Sequence, residues 1–87
     1  MKDRKYKTLF QTFVSNGVLR EMQSSISFVN TATGIGGTDV NINGVTLPPG
    51  ATLDISDETG ALDVTIYEIK FAPGTYNQLL VIRKIYI

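Results

Sequence analysis

The chain has 87 residues, eight of them basic and eight acidic, with neither histidine nor cysteine. Disulfides, Ser-His and Cys-His nucleophile pairs and the usual zinc ligand sets are thereby excluded, and no cofactor is expected. A lone domain of this size buries only ~60% of the surface its unfolded chain exposes. Association with copies of itself, or docking on a larger assembly, is therefore the expected source of further stability.

Residues 1 to 22 open on a basic run. Tyr6, Leu9, Phe10, Phe13 and Val14 recur at i, i+3, i+4, i+7 and i+8, which predicts one apolar face of a short helix. Asp3 can cap its start, and Asn16-Gly17 can end it. Thr8, Thr12, Phe13 and Val14 are poor helix formers, so a hairpin through Asn16-Gly17 or an extended arm stays open. This segment is the candidate partner-binding element. Leu9, Phe10, Phe13 and Val14 would bury apolar surface, and Lys2, Arg4, Lys5 and Lys7 would steer an acidic partner.

Residues 23 to 87 read as a β domain, rich in Thr, Val and Ile and punctuated by Gly, Asn, Asp and Pro. Residues 24 to 30 (SSISFVN) alternate through Ile26 and Phe28 into the loop TATGIGGT. No helix pattern or Lys-Ser/Thr follows these glycines, so they form no phosphate-binding loop; a flexible hairpin connection is expected.

In NINGVTLPPGATLDIS, residues 41 to 56, Asn43-Gly44 is a strong type I′ hairpin signal. A turn there sets Ile42 opposite Val45 and Val40 opposite Leu47. Pro48-Pro49-Gly50 is a second turn signal. A hairpin through it would set Leu47 opposite Ala51 and Val45 opposite Leu53. Both registers keep one apolar face, which predicts a three-stranded meander.

Residues 56 to 60 (SDETG) form a polar turn. Residues 62 to 71 read as one long strand whose apolar phase slips from Leu62, Val64, Ile66 to Tyr67, Ile69, Phe71, as at a β-bulge. After a turn at Ala72-Pro73-Gly74, residues 78 to 87 are apolar on both faces, as in an inner strand or in one that holds a face against a partner copy.

Candidate chemistry is sparse. Asp54, Asp57, Glu58 and Asp63 could supply a carboxylate pair, but turns favour Asp in any case. Read as an EF-hand from Asp54, position six is Thr59 and position twelve is Thr65, so the required Gly and Glu are missing and no metal site is expected. KDRKYK could touch phosphates, yet the domain as a whole is not basic and nucleic acid is not an expected partner. No apolar run approaches the ~18 residues of a membrane span. The basic start lacks the apolar core of a secretion signal, so synthesis in the cytoplasm without export is expected. Charge is nevertheless sorted: residues 1 to 20 sum to +4, 21 to 69 to −7 and 70 to 87 to +3. Such fields can orient copies head to tail, unless strand pairing mixes them.

DVNINGVTLPPGATLDIS followed by LDVTIYEIKFAPGTYNQLLVIRKIYI resembles small β-sandwich virion proteins of bacterial viruses, of the head-decoration, spike or fibre-attachment type. The resemblance covers residues 38 to 87 and contains no active-site motif. It implies an all-β sandwich or jelly-roll-like domain and a non-enzymatic homo-oligomer, often a trimer. It also implies docking on other virion proteins and location in the virion. The alternative is a surface recognition module reading a glycan or protein through loops near residues 31 to 38 and 56 to 60.

Overall fold

In a computed structural model the described residues are 5 to 56, 59 and 61 to 86. They contain eight strands and no helix: β1 (Tyr6–Phe13), β2 (Gly17–Leu19), β3 (Ser25–Asn30), β4 (Val40–Ile42), β5 (Val45–Leu47), β6 (Thr52–Ser56), β7 (Tyr67–Phe71) and β8 (Leu79–Tyr86). They form two four-stranded sheets, ordered β1-β8-β3-β6 and β2-β7-β4-β5, with every neighbouring pair antiparallel. The all-β class stands.

The expected N-terminal helix is replaced by β1. Tyr6 to Phe13 pair along their whole length with β8, from Tyr6↔Tyr86 to Phe13↔Leu79. Thr8, Thr12 and the aromatic residues suit a pleated surface, and β8 offers a full ladder of backbone partners that an isolated short helix would lack. Nor do residues 13 to 19 form a hairpin. β2 joins the other sheet by pairing with β7, and Asn16 Oδ1 accepts the Phe71 N–H at 2.8 Å as the chain crosses over.

The Asn43-Gly44 hairpin is present in the expected register, Val40↔Leu47 and Ile42↔Val45, with φ of 49° and 92° at the two turn residues. Pro48-Pro49-Gly50 also turns as expected, with Gly50 at φ 87° and the Ala51 N–H donating to the Pro48 carbonyl at 3.0 Å. It does not close a hairpin. It passes the chain between sheets, and β6 pairs with β3 through Leu53↔Phe28 and Ile55↔Ile26. The meander is therefore one hairpin followed by a crossover. Residues 31 to 39 likewise carry the chain from β3 to β4 in the other sheet instead of forming a hairpin.

The bulge expected at Ile66-Tyr67 is a strand boundary. β7 starts at Tyr67, whereas Leu62, Val64 and Ile66 before it are exposed. β8 is an inner strand, between β1 and β3, as its two apolar faces require.

The buried core draws on both sheets: Ile26, Phe28, Leu79 and Val81 from the first, and Leu19, Val40, Ile42, Leu47, Tyr67 and Ile69 from the second. The Phe28 and Tyr67 rings meet edge to face with centroids 5.1 Å apart. Burial of such side chains is worth roughly 1.5–3 kcal/mol each, which makes this cluster the main stabilising feature.

Candidate functional site

Opposed residues of an antiparallel ladder point to the same face, so the register sorts the first sheet completely. Leu9, Phe13, Ile26, Phe28, Arg83, Val81 and Leu79 point inward. Tyr6, Thr8, Phe10 and Thr12 of β1 point outward, alongside Tyr86, Lys84, Ile82 and Leu80 of β8. Ser25, Ser27 and Val29 of β3 and Ser56, Asp54 and Thr52 of β6 complete this outer face.

The face is apolar at one edge and polar at the other. Phe10 is 69% exposed directly opposite Ile82, and Tyr6 is 55% exposed opposite Tyr86. The two tyrosine rings meet edge to face at 6.3 Å, and the Lys84 ammonium lies 4.6 Å from the Tyr6 ring centroid. At the far edge β6 presents Thr52, Asp54 and Ser56.

The expected contact residues do not share one face. Strand alternation sends Phe10 outward and sends Leu9 and Phe13 inward, where Phe13 packs against the core. Val14 follows β1 and is 64% exposed. Lys5 and Lys7 are exposed; Lys2 and Arg4 lie outside the described residues. Tyr6, read from the sequence as part of a helix face or of the basic KDRKYK run, lies beside Phe10 on the outer face. A period of two along Tyr6, Thr8, Phe10 and Thr12 was the available signal. The sorted charges survive folding in part. Lys7 lies on the edge strand β1 and Lys84 on its neighbour β8, while Asp54 sits on β6 at the opposite edge.

Of the four candidate carboxylates the structure describes Asp54 and Asp63, and these two are differently engaged. Asp54 lies on the outer face opposite Ser27. Asp63 is engaged internally: its carboxylate accepts bonds from the Tyr67 hydroxyl, from Gln23 Nε2 at 3.2 Å and from the Thr65 N–H at 2.9 Å. Burial works to raise its pKa, but those bonds outweigh it and hold the carboxyl below its ordinary value of 3.8. Burial and the adjacent carboxylate push the Tyr67 phenol up to about 12. Each group is thus locked in the protonation state its partner needs, which makes the pair a brace. Asp57 and Glu58 lie outside the described residues. An open hollow of about 410 Å³ beside this brace is lined by Ser24, Ile55, Leu62, Asp63 and Val64 among others.

Among the described residues, no group of three or more His, Cys, Asp or Glu side chains could hold a metal ion, and no helix is long and apolar enough to cross a membrane. Among the described residues Arg83 is a buried cation. It is 6% exposed on the inner face and its Nη2 meets Glu21 at 2.6 Å. Its Nη1, with Gln23 Oε1 and Ser24 Oγ, has no hydrogen-bond partner among the described residues. No family model, curated protein or solved structure matches this chain.

Proposed function

We propose that the protein is a non-enzymatic structural component that assembles with copies of itself, its two sheets packed as a small sandwich. We further propose that it docks on a bacterial-virus capsid or tail as a decoration, spike or attachment part. The observation that carries the assembly reading is the outer surface of β1 and β8, where Phe10, Tyr6 and Ile82 lie together at a sheet edge. Large exposed apolar groups at one edge are costly in water and mark contact surfaces. The Phe28–Tyr67 contact and the core shared by both sheets support the sandwich. The virion placement draws on the resemblance of residues 38 to 87 and on nothing beyond it.

Light scattering after size exclusion, across a wide concentration series, tests assembly. An oligomer that persists on dilution is expected, and a folded monomer at every concentration would overturn the reading. Mass spectrometry of purified virus particles tests the placement: peptides of this chain in intact particles are expected, and their absence would refute it.

A further inference from the structure

Among the described residues the two sheets present four edges, and they are not alike. β2 and β5 are three residues long, too short to template another strand. β6 has five residues, with exposed Asp54 in the middle of its outer row. Short length and a central charge are devices that blunt a sheet edge. β1 has eight residues, no proline, and the large exposed ring of Phe10 near its centre.

The outward side chains of β1 also repeat about their own midpoint. Tyr6, Thr8, Phe10 and Thr12 alternate, and exposed Val14 follows the strand. Reversed, the order is again apolar, Thr, Phe10, Thr, apolar. We infer that β1 is a self-docking edge, pairing antiparallel with β1 of a second copy about a twofold axis at Phe10, so that two four-stranded sheets join into one.

In that register Phe10 faces the second copy's Phe10, Thr8 faces Thr12, and Tyr6 approaches Val14. Aromatic pairs, Thr–Thr pairs and aromatic–β-branched pairs are the favourable cross-strand combinations. On the inner face Lys7 falls opposite Phe13, whose ring can cover the lysine stem. The two copies of Lys7 are then six residues apart along the paired strands, roughly 20 Å at the usual strand rise. That exceeds the ~10 Å Debye length at moderate salt, so the basic edge does not repel its copy strongly. An isologous contact of this kind closes by itself and leaves no open end.

The competing arrangement, β1 of one copy against β6 of the next, fits less well. Asp54 points outward whereas Lys7 points inward, so the opposite charges would lie on different faces. Phe10 would then have only Thr52, Asp54 and Ser56 of β6 beside it.

The inference rests on the assembly reading above, and the test separates the two. The native chain has no cysteine, so single cysteines report one contact each. Phe10→Cys should cross-link to a covalent dimer under mild oxidation at least about tenfold faster than Thr52→Cys, because residues at a twofold axis meet at a high effective concentration. A mixture of Thr8→Cys and Thr12→Cys chains should give the mixed dimer in preference to either self-dimer. Phe10→Lys should leave the fold intact, because the ring is exposed, and reduce the native mass to that of a monomer. Equal cross-linking rates for Phe10→Cys and Thr52→Cys would overturn the contact. So would a native oligomer whose mass is unchanged by Phe10→Lys, an outcome that leaves the assembly reading standing. A wild-type chain that is monomeric at all concentrations would remove both.

Discussion

The side-chain amide of Asn30, the last residue of β3, donates 2.9 Å to the carbonyl of Leu47, the last residue of β5 in the other sheet. The same Nδ2 donates to the Thr38 carbonyl at 2.9 Å, and Oδ1 accepts the Ala32 N–H at 3.1 Å. Asn30 is fully buried, and its backbone N–H and carbonyl bond Ala51 and Gly50. One residue therefore ties together both connections that leave β3 and β5.

Asn30→Ala should lower the stability of the fold by about 3 kcal/mol or more. Three backbone groups would lose their partner inside the protein, at about 1–3 kcal/mol for each group left unsatisfied. Urea unfolding measures this. A loss below 1 kcal/mol, the size of an ordinary surface change, would mean that water replaces the amide.

Arg83 and Glu21 should respond unequally to mutation. Glu21→Ala leaves a buried guanidinium without its counter-ion, whereas Arg83→Met removes the charge and keeps most of the volume. Glu21→Ala is expected to be the more destabilising of the two, with Arg83→Met within about 1 kcal/mol of wild type. Thermal melts of both variants in one buffer decide the order, and a reversal would show that Arg83 contributes more than burial and shape.

The Asp63–Tyr67 brace predicts losses of stability at both pH extremes. Asp63 titrates below its ordinary 3.8, so its contribution is complete above that value and is lost as pH falls from there through the lowered folded pKa. Tyr67 is raised from 10.0 to about 12, so its contribution is complete below 10 and is lost as pH climbs towards 12. An alkaline absorbance titration should contain a tyrosinate step near 12 that disappears in Tyr67→Phe. A wild-type curve lacking that step would contradict the brace.

Two glycines should differ in the cost of a methyl group. A Cβ at Gly37 would overlap the Ala32 carbonyl oxygen, so the backbone of the β3–β4 connection must move, at about 3 kcal/mol. Gly44 has open space around it but sits at φ 92°, so Gly44→Ala carries conformational strain of about 1–2 kcal/mol. Denaturant midpoints of the two variants should rank Gly37→Ala as the less stable.

The signals at Asn43-Gly44 and Pro48-Pro49-Gly50 led to correct turns, whereas long-range pairing left no local signal. Asn43-Gly44 dictates its own hairpin because both residues accept positive φ and the partners lie next to each other in the chain. Pro48-Pro49-Gly50 dictates a turn just as well, but a turn says nothing about which sheet receives the next strand. Leu53 and Ile55 reach Phe28 and Ile26 because the core needs them there. Tyr6 to Val14 fit helical and strand periods alike, and the choice was made by β8, distant in sequence. Asn30 did leave a trace: it continues the inward alternation of Ile26 and Phe28, so a polar residue stood at a core position and required partners. The shared outward position of Tyr6 and Phe10 follows from a period of two and is hidden by the helical one.

The order of strands also sets a timetable for the nascent chain. Among the described residues β1 pairs with β8 alone, and β8 follows the other seven strands in chain order. While the chain is being made at ~5–20 residues per second, Tyr6 and Phe10 have no ladder to join until Leu79 and its neighbours emerge from the ribosome. For those seconds the strand with two large exposed aromatic rings, Tyr6 and Phe10, is without a backbone partner. Until then the unpaired β1 backbone and the Tyr6 and Phe10 rings are open to pairing with another chain, the hazard of any strand that must wait for its partner.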